Sequence, residues 1–392
     1  GSMLGILIAS LALVRSGSDA SAALLFACLL MLKHIFAYIV PVYFVYLLRH
    51  HCWPQATGGE QPGAGSWMPR GAFKPGAFLS LTAIALLVVS AAFGPVLGAA
   101  WLEGGAGAAA AYALQIKGRL FPFQRGLCHA YWAPNVWALY NVADKALLHV
   151  LKRLPPLRHL TASASTASMT GGLVEVASHA VLPTIRAPHT FLLTLLAMAP
   201  VLVATWRRPR PRAFLHAVVY CQMCSFMLGY HVHEKAVLTA VVPLGLACLD
   251  TAFDAKIYLL VSWVGHYSLF PLLFEDREEP IKVALFLVHV VASFVLLDRH
   301  HRRQQGVGAR QVGVAFGLLE KLYLVGLAPL YVFTNVLHPR LFRAADGSVR
   351  LPFLPLMLTS VYCAVGLVYA WALTLRRCLW EPAADGKGAK EE

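Results

Sequence analysis

Apolar residues run along this chain in blocks of roughly 18–25, the length a helix needs to cross a bilayer. Most blocks lack the polar stripe at 3.6-residue spacing that marks a half-buried soluble helix. The pattern predicts spans at 22–47, 78–101, 190–206, 213–230, 235–249, 256–274, 281–298, 312–335 and 352–375, with a short apolar stretch at 3–14. With that stretch the count is about ten. The expected fold is all-α and polytopic. One segment breaks the pattern: Val136, Leu139, Ala143, Leu147, Val150 and Leu154 recur at three- and four-residue steps, with Asn141, Asp144, Lys145, Lys152 and Arg153 on the other face. Pro134 suits a first helical turn, and Trp132 and Trp137 stand near the start, so an amphipathic helix in the membrane interface is expected here.

Composition agrees. Of 392 residues, 58% are hydrophobic and 13% charged, against about 45–50% and about 25% in soluble domains. A net charge of +14 would suggest nucleic acid in a soluble protein. Here the basic residues sit in loops and fix sidedness instead. Arg49, Arg70, Lys74, the arginines at 207–212 and 299–310, and the basic residues from Arg376 onward mark one side as cytosolic. The loops at 231–234, 275–280 and 336–351 then face the lumen, as does the long segment 102–189. This divides the chain into spans and a cytosolic linker (1–101), the lumenal segment (102–189), C-terminal spans (190–379) and a polar tail (380–392). Cys221 and Cys224 form a CxxC inside an apolar block and read as small packing residues.

Two lumenal stretches carry candidate chemistry. The first, 117–145, sets Lys117, Arg119, Arg125, His129, Asn135, Asp144 and Lys145 among six aromatic residues. Cations at headgroup level suit a lipid phosphate, and aromatic faces suit sugar rings. The second is His231-Val232-His233-Glu234-Lys235 in a tight turn between spans. Ionisable groups at a membrane edge are costly unless used. Lysine can neutralise a phosphate, and histidine can donate to it or shuttle a proton. The His spacing does not match the HExxH of a zinc protease. Glu234 and Lys235 are expected to project together toward the lumen. Lys33, His34, Glu320 and Lys321 lie inside apolar blocks as either functional groups or structural pairs.

These residues carry a resemblance. RLFPFQRGLCHAYWAPNVWALYN at 119–141 resembles the signature of the eukaryotic dolichyl-phosphate-glucose glucosyltransferases of the asparagine-linked glycosylation pathway. HAYWAPN is similar to the branch that adds the second glucose. SMTGGL at 168–173, HVHEK at 231–235, GHYSLFPLLF at 265–274 and LTSVYCAVGLVYAW at 358–371 match in order. The resemblance implies a GT-C fold in the endoplasmic-reticulum membrane with a lumenal active face and no cofactor or metal. It implies dolichyl-phosphate glucose as donor. The acceptor would be a dolichyl-diphosphate-linked oligosaccharide already carrying one glucose, and the new bond α-1,3. Inversion at the sugar needs a carboxylate base on the acceptor hydroxyl and positive charge at the leaving phosphate. The implied substrate-binding residues are Arg119, Arg125, His129, Trp132 and Asn135, with His231, His233, Glu234 and Lys235.

The family places its catalytic aspartate in a first lumenal loop with no counterpart here. The opening GSMLGILIAS is similar to the middle of a family span. The expectation is therefore a chain lacking the N-terminal third and its base, inactive alone, with Asp144, Glu175 and Glu234 as the remaining lumenal carboxylates. A lipid transporter or scramblase shares the composition but should show paired interrupted helices in two halves, and none is visible. An inert fragment is the other alternative.

Overall fold

The computed structural model describes residues 1–54, 71–120, 126–128, 131–154, 178–304, 313–344 and 346–380. These form helices joined by short turns, with isolated β-bridges in place of strands. The helices are α1 (Ser2–Arg15), α2 (Asp19–Leu32), α3 (Val40–Leu47), α4 (Pro75–Leu120), α5 (Val136–Arg153), α6 (Ala187–Arg207), α7 (Pro211–Leu228), α8 (Leu238–Ala247), α9 (Ala252–Tyr267), α10 (Glu279–Gln304), α11 (Leu318–Val325), α12 (Leu327–Val332), α13 (His338–Leu341) and α14 (Leu354–Trp380). Helix occurs in every expected span. Among the described residues, six helical stretches are long and apolar enough to cross a bilayer: His34–Cys52, Pro75–Leu120, Ala187–Arg207, Asp276–Gln304, Leu318–Leu341 and Leu354–Trp380. The tenfold count expected from the sequence is thus not matched by length and composition.

The chain divides into two compact units. One comprises Gly1–Pro122, Ala197–Gln222 and Leu375–Glu392; the other comprises Phe123–Leu196 and Met223–Thr374. In the first unit, the block expected as one span at 22–47 is a hairpin. The Phe26 and Tyr43 rings stack 3.7 Å apart, and His50 Nδ1 lies 2.7 Å from Asp19 Oδ2. Both pairs are symmetric about the His34–Ile35 peptide, as antiparallel partners must be. Lys33 is extended (φ −156°, ψ 118°) and ends α2; a 3₁₀ turn, His34–Ile39, leads into α3, where Pro41 occupies the first turn. Ser10 of α1 closes the group, donating to Ala22 O at 2.8 Å and lying 3.0 Å from the Tyr43 hydroxyl.

The 46 residues of α4 would measure about 69 Å as one rod, more than twice a bilayer core. The helix breaks at Gly104 and Gly105. Gly105 has φ 65° and ψ −160°, a region open essentially to glycine alone. The expected lumenal segment therefore begins with helix over 106–120 rather than with loop.

In the second unit, α8, α9 and α10 pack in sequence around Cys248, Ala255, Leu259, Trp263 and Leu297. Two interhelical hydrogen bonds join α9 to α10: Ser262 with His289 (2.7 Å) and Trp263 Nε1 to Ser293 Oγ (3.0 Å). Glu320 is a structural partner: it meets Lys256 at 2.8 Å and accepts from Tyr369 and the Gly317 N–H. Cys221, in the first unit, and Cys224, in the second, are both fully buried.

Candidate functional site

The site is built around the C-terminal end of α7. The last carbonyls of any helix have no partner within it. Here Asn135 Nδ2 donates to Phe226 O (3.1 Å) and the Trp137 indole to Gly229 O (2.9 Å). The chain then turns sharply. His231 takes a positive φ of 53°, uncommon for a residue with a side chain. Its N–H donates to Leu127 O (2.8 Å), its ring Nδ1 lies 3.2 Å from Gly126 O, and Val232 pairs with Cys128 as a parallel bridge. Two segments a hundred residues apart in sequence, GLC at 126–128 and HVH at 231–233, are thus stitched together through backbone.

Helix α5 supplies the frame. Asn135 caps its start by accepting the Trp137 N–H at 3.0 Å. Trp137, Ala138, Asn141 and Asp144 form the buried face. Leu147, Val150 and Leu154 are 41%, 52% and 43% exposed. The pattern is thus partly reversed from that of a soluble helix: Asn141 and Asp144 turn toward protein beside Trp137 and Ala138, while Leu147, Val150 and Leu154 face outward with the exposed Lys145, Lys152 and Arg153, as suits a helix in a membrane interface.

Asp144 is 6% exposed and receives three consecutive backbone N–H groups. Ala180 donates to Oδ2 at 2.9 Å, and Val181 and Leu182 to Oδ1 at 2.8 and 2.7 Å. Burial pushes the carboxyl up, but the three donors, with His179 beside them, outweigh burial and hold it below its ordinary value. Three of its roughly four acceptor positions are taken up in anchoring 180–182. Asn141 sits one turn earlier, donating to Cys128 Sγ (3.1 Å) while its Oδ1 lies 3.0 Å from His179 Nε2. An amide oxygen only accepts, so that nitrogen carries the proton. Burial lowers the His179 pKa, and Asp144 opposes that only in part. Tyr140 adds a hydrogen bond to Pro183 O (2.7 Å).

The candidate residues separate into three groups. Arg125 and His129 lie outside the described residues, as do SMTGGL at 168–173 and Glu175. Arg119 is exposed in the last turn of α4, in the first unit. The others lie in the second unit. Trp132 and Asn135 are each 2% exposed. The Lys145 ammonium stands 5.1 Å over the Trp132 ring, and the Trp132 carbonyl accepts from Ser360 (2.7 Å). Trp132 is thus a core residue rather than an open platform for a sugar, and Asn135 is a double cap. In the turn, the expected joint projection of Glu234 and Lys235 is corrected. Lys235 and His233 are exposed, whereas Glu234 is turned inward at 4% exposure. Burial raises its carboxyl above the usual range, against its own backbone, His233 and Lys235. The His231 and His233 rings meet edge to face at 5.7 Å. The outward surface is therefore two histidines and a lysine, a set suited to an anion. Among the described residues no group of three His, Cys, Asp or Glu could hold a metal ion.

The anchoring roles of Trp137, Asn141, Asp144 and His179 are not evident from residue type. The available signal was two polar residues three apart on one helix face, read in the sequence as the outer face.

The model of the ALG6, ALG8 glycosyltransferase family matches residues 1–374. Curated relatives named dolichyl pyrophosphate Glc1Man9GlcNAc2 alpha-1,3-glucosyltransferase are similar throughout. The Bos taurus protein is 40% identical over 100% of this chain and 68% of its own length. The Mus musculus protein is 42% identical over 95% of this chain and 65% of its own length, and the Arabidopsis thaliana protein 39% over 97% and 69%. The chain spans about two thirds of the length of these relatives. By the family match and by identity sustained along its whole length, the chain belongs to the ALG6, ALG8 glycosyltransferase family.

Proposed function

We propose that this protein transfers glucose to the monoglucosylated dolichyl-pyrophosphate oligosaccharide Glc1Man9GlcNAc2, forming an α-1,3 bond. The observation that carries the reading is identity of about 40% sustained over the whole chain with relatives bearing that name. The stitching of the 126–137 signature to the histidine turn gives it a site. The donor in this reading is dolichyl-phosphate glucose. The fold is of GT-C type, and the site faces the lumen of the endoplasmic reticulum. A lipid-borne donor suits a protein whose candidate cations stand at the membrane edge, near an interfacial helix.

The chemistry is one in-line displacement. The acceptor hydroxyl oxygen bonds to the anomeric carbon, the bond from that carbon to the phosphate oxygen breaks, and dolichyl phosphate leaves with the electron pair. The hydroxyl proton passes to a base. Lys235, His231 and His233 offset charge developing on the leaving phosphate. Neither Asp144 nor Glu234 suits the base: Asp144 is buried and holds three backbone N–H donors, and Glu234 is buried.

The test uses membranes containing the full-length protein. Dolichyl-phosphate glucose should add one hexose to the Glc1Man9GlcNAc2 lipid, and Lys235→Ala should slow turnover about a hundredfold, the scale for one transition-state stabiliser. Equal glucosylation of the acceptor lacking glucose, or use of a nucleotide sugar in place of the lipid donor, would refute the assignment. Unchanged kinetics in folded Lys235→Ala would remove the turn from it.

A further inference from the structure

We propose that the apex of the α2–α3 hairpin, Lys33 with His34, binds the phosphoryl headgroup of a polyprenyl lipid. This rests on the membrane reading above but on a different set of residues.

Depth comes first. The 14 residues of α2 carry the chain about 21 Å from Asp19 to Lys33. The end at Asp19 also bears Arg15, Arg49, His50 and His51, a basic collar that marks the cytosolic edge. Against a hydrocarbon core of about 30 Å, the apex lies in the opposite leaflet. Charge comes second. Lys33 and His34 are exposed, and the Lys33 ammonium has no hydrogen bond or ion pair among the described residues. The one carboxylate in residues 1–52 is Asp19, at the far end of the hairpin and engaged by His50 at 2.7 Å. The C-terminus of α2 offers Lys33 partial negative charge but not a counter-ion. An ionisable group held in lipid without one is a functional-site hypothesis by default.

Surroundings come third. Leu32, Val40 and Phe44, flanking the apex, are 56%, 37% and 56% exposed. An exposed cation within an apolar collar matches a phosphoryl anion on a long hydrocarbon chain. A reaction between two lipid-linked substrates presents two such headgroups, one monophosphate and one pyrophosphate. The shared chemistry is what the apex would recognise.

The full-length protein in phosphatidylcholine nanodiscs is labelled with a photoreactive polyprenyl phosphate, and label is mapped to peptide 19–52. Lys33→Met, which keeps the stem and removes the charge, should lower labelling about fivefold, and Lys33→Arg should retain it. Excess dolichyl phosphate or dolichyl pyrophosphate should compete, the stronger naming the substrate. Inorganic phosphate and phosphatidylserine should not. Labelling unchanged in Lys33→Met, or equal competition by phosphatidylserine, would reduce the apex to ordinary snorkelling. Equal competition by inorganic phosphate would remove the lipid from the proposal. If Lys33→Met does not fold, Lys33→Gln at matched melting temperature replaces it, and the wild-type competition arms decide if neither folds. Lys235→Ala run alongside separates the two sites: it should lower transfer and leave hairpin labelling intact. Loss of transfer there with no effect of Lys33→Met on labelling would sink the apex and spare the turn.

Discussion

Asp144→Asn separates an anchor from a catalytic base. The substitution keeps shape and removes charge. The amide oxygen can still accept from Val181 and Leu182, but the NH₂ group now faces the Ala180 N–H, which stood 2.9 Å from Oδ2. One hydrogen bond to a charged group is lost, at about 1.5–3 kcal/mol, and a buried N–H is stranded, at about 1–3 kcal/mol. Together these give about 2.5–6 kcal/mol, and even about 3 kcal/mol, near the lower end, is a sizeable part of the 5–15 kcal/mol that typically separates folded from unfolded states. Because the clasp is local, the cost should appear as local opening. Hydrogen exchange at Ala180, Val181 and Leu182 should quicken by about a hundredfold, and glucose transfer should fall only as far as the turn is disturbed. The sign with pH follows from a folded pKa held below the ordinary value. The clasp is whole above the unfolded value of about 3.9 and is lost as pH falls through the lower folded value. Between pH 5 and 8 the mutational effect should therefore be flat. A base would behave otherwise: turnover would fall by 10²–10⁴ with exchange at 180–182 unchanged. That result would refute the anchor.

Three further outcomes are expected. His179, held below the usual histidine pKa mainly by burial, should give stability that is full above pH about 6.5 and declines on acidification toward its lower folded value; melting temperature against pH should lose that component in His179→Gln. Trp137→Phe, which removes the N–H to Gly229 O and trims a buried ring, should raise the KM for donor severalfold in protein that still folds; an unchanged KM would separate the α7 cap from the turn. Tyr323 and Tyr362 stack 4.8 Å apart, each hydroxyl reaching the other's backbone carbonyl. A Cβ at Gly326 would lie 2.0 Å from the Tyr362 hydroxyl, and one at Gly366 would lie 2.2 Å from the Tyr323 hydroxyl and 2.5 Å from its ring. Gly326→Ala should cost about 1–3 kcal/mol and be largely rescued by Tyr362→Phe, whereas Tyr323→Phe should not rescue Gly366→Ala; equal rescue in thermal denaturation would contradict the packing.

What the sequence conveyed, and what it did not, follows from the solvent. In water, an apolar stripe says which face of a helix is inside. At a membrane edge it does not, because lipid and protein core are both apolar. The period of α5 was therefore legible and its orientation was not: Asn141 and Asp144 read as an outer face yet form the buried one, and Trp132 and Asn135 read as ligand groups yet are packed away. The same limit explains 22–47. A largely apolar stretch of 26 residues satisfies the length of a span whether it crosses once or folds back, and only Lys33, His34 and Pro41 within it argue for the second. Motif spacing could not join 126–128 to 231–233, since that contact is made by backbone carbonyls and N–H groups common to every sequence. Sites built from such groups are specified by the side chains that hold them. The residues most worth altering near the histidine turn are therefore the buried amide, indole and carboxylate beneath it as much as the exposed cations. Altering the cations should change turnover with protection of the turn intact, whereas altering the frame should change both together.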